Sequence, residues 1–308
     1  MARIDRDTAG VYAIAATPFA EDGALDLDSV DRLVDFYEGC GVNGLTILGV
    51  MGEAPKLSGE ESRAVIARFL ARAALPVVVG VSNPGIANLA RLAHDAMAQG
   101  AAGVMVAPIP GLGTEEAIHG YVEQVCGALG PDVPVCLQDY PQLTGVKMSV
   151  RTILRLARDF PQIVMLKHED WPGLAKLERV RHGGGDAEDP RLSILCGNGG
   201  LFLPQEMMRG ADGAMTGYAY PDMLARVVSL CRAEQWDAAE DLFDAHLPLI
   251  RHEVQPGVGL ALRKEILRRR GALASAALRA PGPHLVQTDF EELDRLIARM
   301  ERRAAALG

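Results

Sequence analysis

Ile163-Val164-Met165-Leu166-Lys167-His168-Glu169 is an apolar run of β type that closes on a lysine, with the turn signal Trp171-Pro172-Gly173 just beyond. Burial disfavours the charged form of an amine. A deprotonated lysine attacks carbonyl carbon and can form a Schiff base. The plain alternative is a lysine that caps a strand and reaches solvent, because lysine is rarely fully buried. The place of the lysine in the whole chain separates the two readings.

Outward from that stretch, short apolar runs recur on both sides. Val11–Thr17, Gly44–Leu48, Pro76–Val81, Gly103–Ala107 and Val133–Gln138 precede it; Leu192–Cys196 and Gly213–Thr216 follow it. Helical patterns alternate with them. Asp28 opens one with Val30, Leu33, Val34 and Tyr37 on its apolar face, and Ser58-Gly59-Glu60-Glu61 is a capping box opening another. Further helices are expected near Ile86–Gln99, Thr114–Leu129, Ser149–Asp159, from beyond Lys167 to about Arg181, and at Leu201–Met208. His182 through Pro190, including Gly185 and Asp186, reads as a polar loop. Strands this short and continuously apolar fit a parallel sheet buried on both faces. Eight of them, each followed by a helix, predict an α/β chain folded as a (β/α)8 TIM barrel over residues 1–222. A helical region at 223–308 is expected to pack on the barrel. Its charge run, Arg263-Lys264-Glu265-Ile266-Leu267-Arg268-Arg269-Arg270, reads as a solvated or interface helix face, with anion binding as the lesser alternative.

The 308 residues suit one such barrel, and 49% apolar with 23% charged residues supply an ordinary core. A net charge of −9 argues against a nucleic-acid partner. No apolar run reaches the ~18 residues of a membrane span, and the N-terminus has no apolar signal core. The five cysteines, Cys40, Cys126, Cys136, Cys196 and Cys231, are scattered without a CxxC. They suit buried thiols in a reducing cytoplasm.

In a TIM barrel the chemistry lies at the C-terminal ends of the strands. Five clusters fall there: Gly49-Val50-Met51-Gly52-Glu53, Gln138-Asp139-Tyr140-Pro141, Lys167, Gly197-Asn198-Gly199-Gly200 and Gly217-Tyr218. Their convergence favours a reactive Lys167. The first loop is either a tight turn or a nest of backbone N–H groups for a carboxylate. The Gly197–Gly200 loop occupies the usual phosphate corner, yet no lysine or arginine flanks it. His168, Glu169 and Asp170 are metal ligands by type, but neighbouring strand residues alternate faces. Hydrogen-bonding or pairing roles suit them better. Trp171 and Trp236 read as packing residues.

From about Val11 to Arg279 the chain resembles the dihydrodipicolinate synthase / N-acetylneuraminate lyase family of Schiff-base lyases. Thr17-Pro18-Phe19 resembles its "TPF", Gly49–Glu53 its "GTTGE" or "GSTGE", and Ile163–Lys167 the strand ending in the Schiff-base lysine. Gly210–Gly217 resembles "GADGxISG", and Gln255-Pro256-Gly257 with Arg263-Lys264 its C-terminal helical region. The resemblance also marks departures. Gln138 stands at the proton-shuttling tyrosine of "YNxPxRTG", with Tyr140 two residues on, and Leu143 stands at the arginine that binds a dicarboxylate. Val50 and Met51 replace two hydroxyls, and the tyrosine of "PYY" falls in the Ile109-Pro110 region.

The resemblance implies that Lys167 attacks the ketone of a 2-oxo acid and that the protonated imine acts as electron sink. Lys167, Tyr140 and Gln138 are the expected catalytic positions. Gly49, Val50, Met51, Gly52, Glu53, His168, Asn198, Met215 and Tyr218 are the expected substrate-binding positions. Glu53, His168, Tyr140 or Tyr218 would supply the acid and base. The expected activity is an aldolase or dehydratase on pyruvate or a sugar-acid derivative. The alternatives are a genuine 4-hydroxy-tetrahydrodipicolinate synthase with altered acid/base groups, or a 2-oxo acid binding protein without catalysis. The family further implies a homotetramer, as a dimer of dimers, with no cofactor and no metal.

Overall fold

Eight short strands close into one parallel barrel in chain order in the computed structural model, which describes residues 2–184 and 189–307. They are β1 (Gly10–Ile14), β2 (Gly44–Ile47), β3 (Val77–Gly80), β4 (Gly103–Val106), β5 (Val135–Asp139), β6 (Ile163–His168), β7 (Ser193–Cys196) and β8 (Gly213–Ala214). Nearly every strand residue is buried, because helices cover the outside while side chains fill the inside. The helices are α1 (Leu27–Gly39), α2 (Gly59–Arg72), α3 (Ile86–Ala98), α4 (Glu115–Leu129), α5 (Pro141–Thr144), α6 (Val150–Asp159), α7 (Leu174–Gly183) and α8 (Leu203–Met208). After them come α9 (Pro221–Arg232), α10 (Trp236–Glu253), α11 (Gly259–Arg269) and α12 (Gln287–Ala305). Side chains of Asp26, Ser58, Thr114 and Ser149 accept from the first turns of α1, α2, α4 and α6. Each such cap contributes about 1 kcal/mol. The polar loop expected from His182 gives up His182 and Gly183 to the end of α7. Gly185 and Asp186 lie outside the described residues.

Residues in register across a parallel barrel face the same side. Cys136, Met165 and Ser193 share one layer; Gln138, Lys167 and Leu195 share the next toward the C-terminal rim. The side of these layers is set by Cys136, whose Sγ lies 3.9 Å from Met215 Sδ of the non-adjacent β8 segment. That contact crosses the barrel interior, so Lys167 points inward.

The boundary expected at 222 falls inside α9, which packs on β1 and β8 and is the barrel's eighth helix. The reading of Arg263–Arg270 as a solvated or interface helix face holds for the exposed Arg268 and Arg269 and is corrected at Lys264. Lys264 is completely buried, with Nζ 2.8 Å from Glu53 Oε1 and 2.8 Å from Ala277 O. Its amine also lies 4.6 Å from the centre of the Phe19 ring. Burial pulls the Lys264 pKa down against the attraction of Glu53. The other oxygen of Glu53 accepts from Lys56 Nζ at 2.8 Å and Arg279 N at 3.1 Å. One carboxylate thus binds the β2 loop to α11 and to the segment after it. A period-counting reading misses this because buried lysine looks the same as exposed lysine in a charge run.

Removing one partner of a buried pair leaves an uncompensated charge, at a cost of about 3–5 kcal/mol. Lys264→Ala is expected to lose stability in that range, and Glu53→Gln combined with Lys264→Met to recover much of it. Urea denaturation midpoints of the single and double variants check this. A loss below about 1 kcal/mol in Lys264→Ala would remove the pair from the account of the fold.

Candidate active site

Lys167 is 5% exposed, and its Nζ lies 3.2 Å from Glu169 Oε2. The same oxygen accepts from Gln138 Nε2 at 2.6 Å. Gln138 and Lys167 are register partners on β5 and β6, so the sheet itself sets their spacing. Glu169 stands two residues after Lys167 and keeps its inward parity. Room for its side chain comes from Gly197: a Cβ there would fall 2.2 Å from Glu169 Cγ. Its backbone is held by Glu169 N donating to Asp139 O at 2.9 Å and Asn198 Nδ2 donating to Glu169 O at 3.1 Å. Asn198 adopts a left-handed conformation to do so, with φ of 51°.

Tyr140 is half-buried at the start of α5, and its hydroxyl makes no hydrogen bond among the described residues. Burial raises its pKa, the Glu169 charge raises it further, and the Arg263 guanidinium lowers it. Tyr140 stands two residues after Gln138, the register partner of Lys167. Across the mouth, the β2 loop spends the N–H groups of Gly52 and Glu53 on Gly49 O and Val50 O. Those of Val50 and Met51 have no backbone acceptor among the described residues. Leu48 and Glu53 bracket this pair in left-handed conformations, with φ of 54° and 52°. Non-glycine residues held so concentrate at functional sites.

Lys167, Gln138, Tyr140, Asn198 and the Gly49–Gly52 backbone thus gather at the rim, with Met215 one layer below. Three expected positions are elsewhere. Glu53 is consumed by the Lys264 network. His168 has the opposite parity to Lys167 and faces the helices, its Nε2 3.0 Å from Gly173 O. The Tyr218 hydroxyl turns outward to His246 Nδ1 at 2.9 Å, beside the Tyr220 ring. Of the acid/base groups expected at Glu53, His168, Tyr140 or Tyr218, the structure turns Glu53, His168 and Tyr218 to other partners and leaves Tyr140 at the rim, and Glu169 is a rim carboxylate that sequence reasoning left off the site. The signal was present: a carboxylate two residues after the lysine shares its face. His168, Glu169 and Asp170 diverge, Asp170 pairing with Lys176 Nζ at 3.1 Å.

The sequence pattern described as the dihydrodipicolinate synthetase family matches residues 7–300. L-2-keto-3-deoxyarabonate dehydratase of Azospirillum brasilense is 32% identical over 301 residues, 95% of this chain and 94% of that one. A 4-hydroxy-tetrahydrodipicolinate synthase of Sorangium cellulosum is 30% identical over 96% of this chain and 97% of its own. Among solved structures, dihydrodipicolinate synthase from Rhodopseudomonas palustris has a TM-score of 0.95 and 53% identity, covering 97% of this chain and 100% of that one.

Behind β6 and β7, the outward face buries a second set of charges. Lys176 Nζ lies 2.6 Å from Asp139 Oδ2. Glu206 on α8 is 7% exposed, and burial raises its carboxyl to about 7 against a lowering by His168. Burial also raises the thiol of Cys196 well above the usual range, with the Glu206 charge adding to the effect. A raised folded-state pKa means the folded chain holds the proton more tightly than the unfolded chain. The stability so gained is full below the unfolded value near 4.5 and is lost as pH rises through about 7. The span amounts to roughly 3 kcal/mol. Glu206→Gln is expected to be more stable than the parent at pH 8 and no more stable at pH 4, by urea denaturation at both values. An unchanged difference between the two pH values would contradict a protonated Glu206.

Proposed function

The chain belongs to the dihydrodipicolinate synthetase family, and on that premise we propose that it is a lysine Schiff-base lyase that dehydrates a 2-oxo acid of the 2-keto-3-deoxy sugar-acid type. The observation that carries this reading is the buried contact of Lys167 Nζ with Glu169 Oε2 at 3.2 Å. It puts a proton acceptor beside the nucleophile where the resemblance places only a tyrosine relay.

In this reading Glu169 takes a proton from the Lys167 ammonium, and the free amine adds to the C2 ketone. Protonated Glu169 returns that proton to the adduct's hydroxyl, which leaves as water to give the protonated imine and restore the carboxylate. The imine acidifies C3, whose proton passes to the Glu169 carboxylate, and the enamine's electron pair expels the C4 hydroxyl. Protonated Glu169 returns its proton to the departing hydroxyl, which leaves as water. Hydrolysis of the imine then frees the product and Lys167. Gln138 holds Glu169 by its Oε2, and Tyr140 stands by with an unengaged hydroxyl. Val50 and Met51 offer N–H groups to the substrate carboxylate. The imine is itself the electron sink, so the reaction needs no cofactor and no metal. The same reading takes the protein as a cytoplasmic homotetramer.

Synthesis of dihydrodipicolinate from pyruvate and aspartate semialdehyde is the second reading, favoured by the name of the 53% identical solved structure. Against it, Leu143, half exposed, stands where the resemblance expects a carboxylate-binding arginine. Consumption of aspartate semialdehyde with pyruvate separates the two.

Borohydride reduction in the presence of pyruvate is expected to add a fixed mass to the peptide carrying Lys167. Lys167→Ala should show neither labelling nor turnover, and turnover at the parent rate would overturn the mechanism. Glu169→Gln should be labelled more slowly and lose about 10²- to 10⁴-fold in kcat for dehydration, the usual contribution of a positioned acid/base. Full activity in that variant would move the proton transfer to another group, Tyr140 first.

A further inference from the structure

Arg263, from α11, brings a positive charge against Met51 of the β2 loop and Gly217 beyond β8. Its Nε donates to Glu253 Oε2 at 2.8 Å and its Nη2 to Glu253 O at 3.4 Å. Among the described residues its Nη1 meets only Met51 Sδ, at 3.7 Å. A thioether is a weak acceptor, and the side chain is only 13% exposed. One end of the guanidinium is therefore almost unsatisfied in a largely dry place. Gly217 shows where that end lies. It follows the inward-facing Met215 by two residues, and a Cβ on it would fall 2.3 Å from Met51 Sδ and 3.4 Å from Arg263 Nη1. The missing side chain opens a gap at the β8 rim through which the guanidinium reaches the residues that carry the free Val50 and Met51 N–H groups. Tyr140, at the start of α5, feels both charges, negative from Glu169 and positive from Arg263.

Glu253 fixes the guanidinium without using Nη1. Its Oε2 accepts from Arg263 and from Ala219 N at 3.3 Å, while Oε1 has no partner among the described residues. The mouth is thus bipolar, with a carboxylate on β6, a guanidinium on the β2–β8 side, and Lys167 inside.

We infer that Arg263 Nη1 binds the carboxylate of the 2-oxo acid together with the N–H groups of Val50 and Met51. This rests on the Schiff-base reading above and adds to it the residue that selects acids over neutral ketones. A carboxylate oxygen is a far better acceptor than sulfur, and the flexible Met51 side chain yields the position beside Nη1. The order of elements then fits the chemistry. The acid group is held on the β2–β8 side, the ketone carbon lies at Lys167, and C3 faces Glu169 and Tyr140.

The test compares pyruvate with hydroxyacetone, which has a ketone for Lys167 but no carboxylate. The rate of borohydride-trapped labelling is followed against ketone concentration. Arg263→Gln should raise the half-saturating pyruvate concentration about 10- to 100-fold, the effect of one charged hydrogen bond. The maximal rate and the whole hydroxyacetone curve should stay as in the parent, and Arg263→Lys should recover part of the loss. Glu253→Gln removes the neutralising carboxylate and should tighten pyruvate, not hydroxyacetone. A merely structural role would weaken both ketones in every variant. Equal shifts for the two ketones, no shift in Arg263→Gln, or weaker pyruvate binding in Glu253→Gln would each overturn the inference. Should the parent label with neither ketone, the Schiff-base reading falls. Calorimetric binding of pyruvate to the parent and to Arg263→Gln then still decides the role of Arg263.

Discussion

The buried contact between the Lys167 ammonium and the Glu169 carboxylate is the constraint around which the rest of the molecule is arranged. An isolated ammonium inside a barrel would lose more hydration energy than packing could return. A carboxylate at 3.2 Å, itself held by an amide at 2.6 Å, offsets that loss in a medium where attraction is stronger than in water. The sheet supplies the geometry at no further cost. Gln138 and Lys167 are register partners, Glu169 shares the parity of Lys167, and Gly197 on the next strand leaves the space that the carboxylate fills. Stability and the proposed reactivity draw on the same pair. The partner that makes the buried amine tolerable is also the group proposed to take its proton.

Two more acid–base pairs repeat the solution where the barrel meets the C-terminal helices. Lys264 with Glu53 ties α11 to the β2 loop, and Arg263 with Glu253 ties it to the end of α10. The loop that carries Val50 and Met51 is bent through left-handed residues at Leu48 and Glu53, a conformation that persists only when its surroundings fix it. Glu53, anchored by Lys56, Lys264 and Arg279, is what fixes it. The helices beyond the barrel are therefore part of the site's support, since without α11 the β2 loop would lose its main anchor.

The barrel was legible because its signals are local and repeated. Continuous β-branched runs such as Val77-Val78-Val79, punctuated by helix caps at Ser58 and Ser149, mean a buried parallel strand and a helix start wherever they occur. Lys167 was legible for the same reason, as the polar end of such a run. The carboxylate beside it was not. His168 looks the more reactive residue by type, and only the alternation of faces puts it against Gly173 while sending Glu169 inward. Tyr218 misled through the same rule: Met215 and Gly217 face in, so Tyr218 faces out to His246. Glu53 and Lys264 are separated by 211 positions, and no pattern along the chain announces a pair that only the closed fold creates.

The rim glycines show where the two levels meet. Neither Gly197 nor Gly217 has a positive φ. Their requirement is space. A side chain at Gly197 would collide with Glu169, and one at Gly217 with Met51 and then Arg263. Each glycine thus leaves space for a charged side chain arriving from elsewhere in the chain. The lysine end of the proposed reaction comes from the strand, but its charge environment comes from groups admitted through gaps in neighbouring strands. A barrel rim can in this way change its chemistry while keeping its lysine. What must stay constant is the strand that carries the amine, whereas the arriving carboxylate and guanidinium need only a missing Cβ and a buried partner of their own.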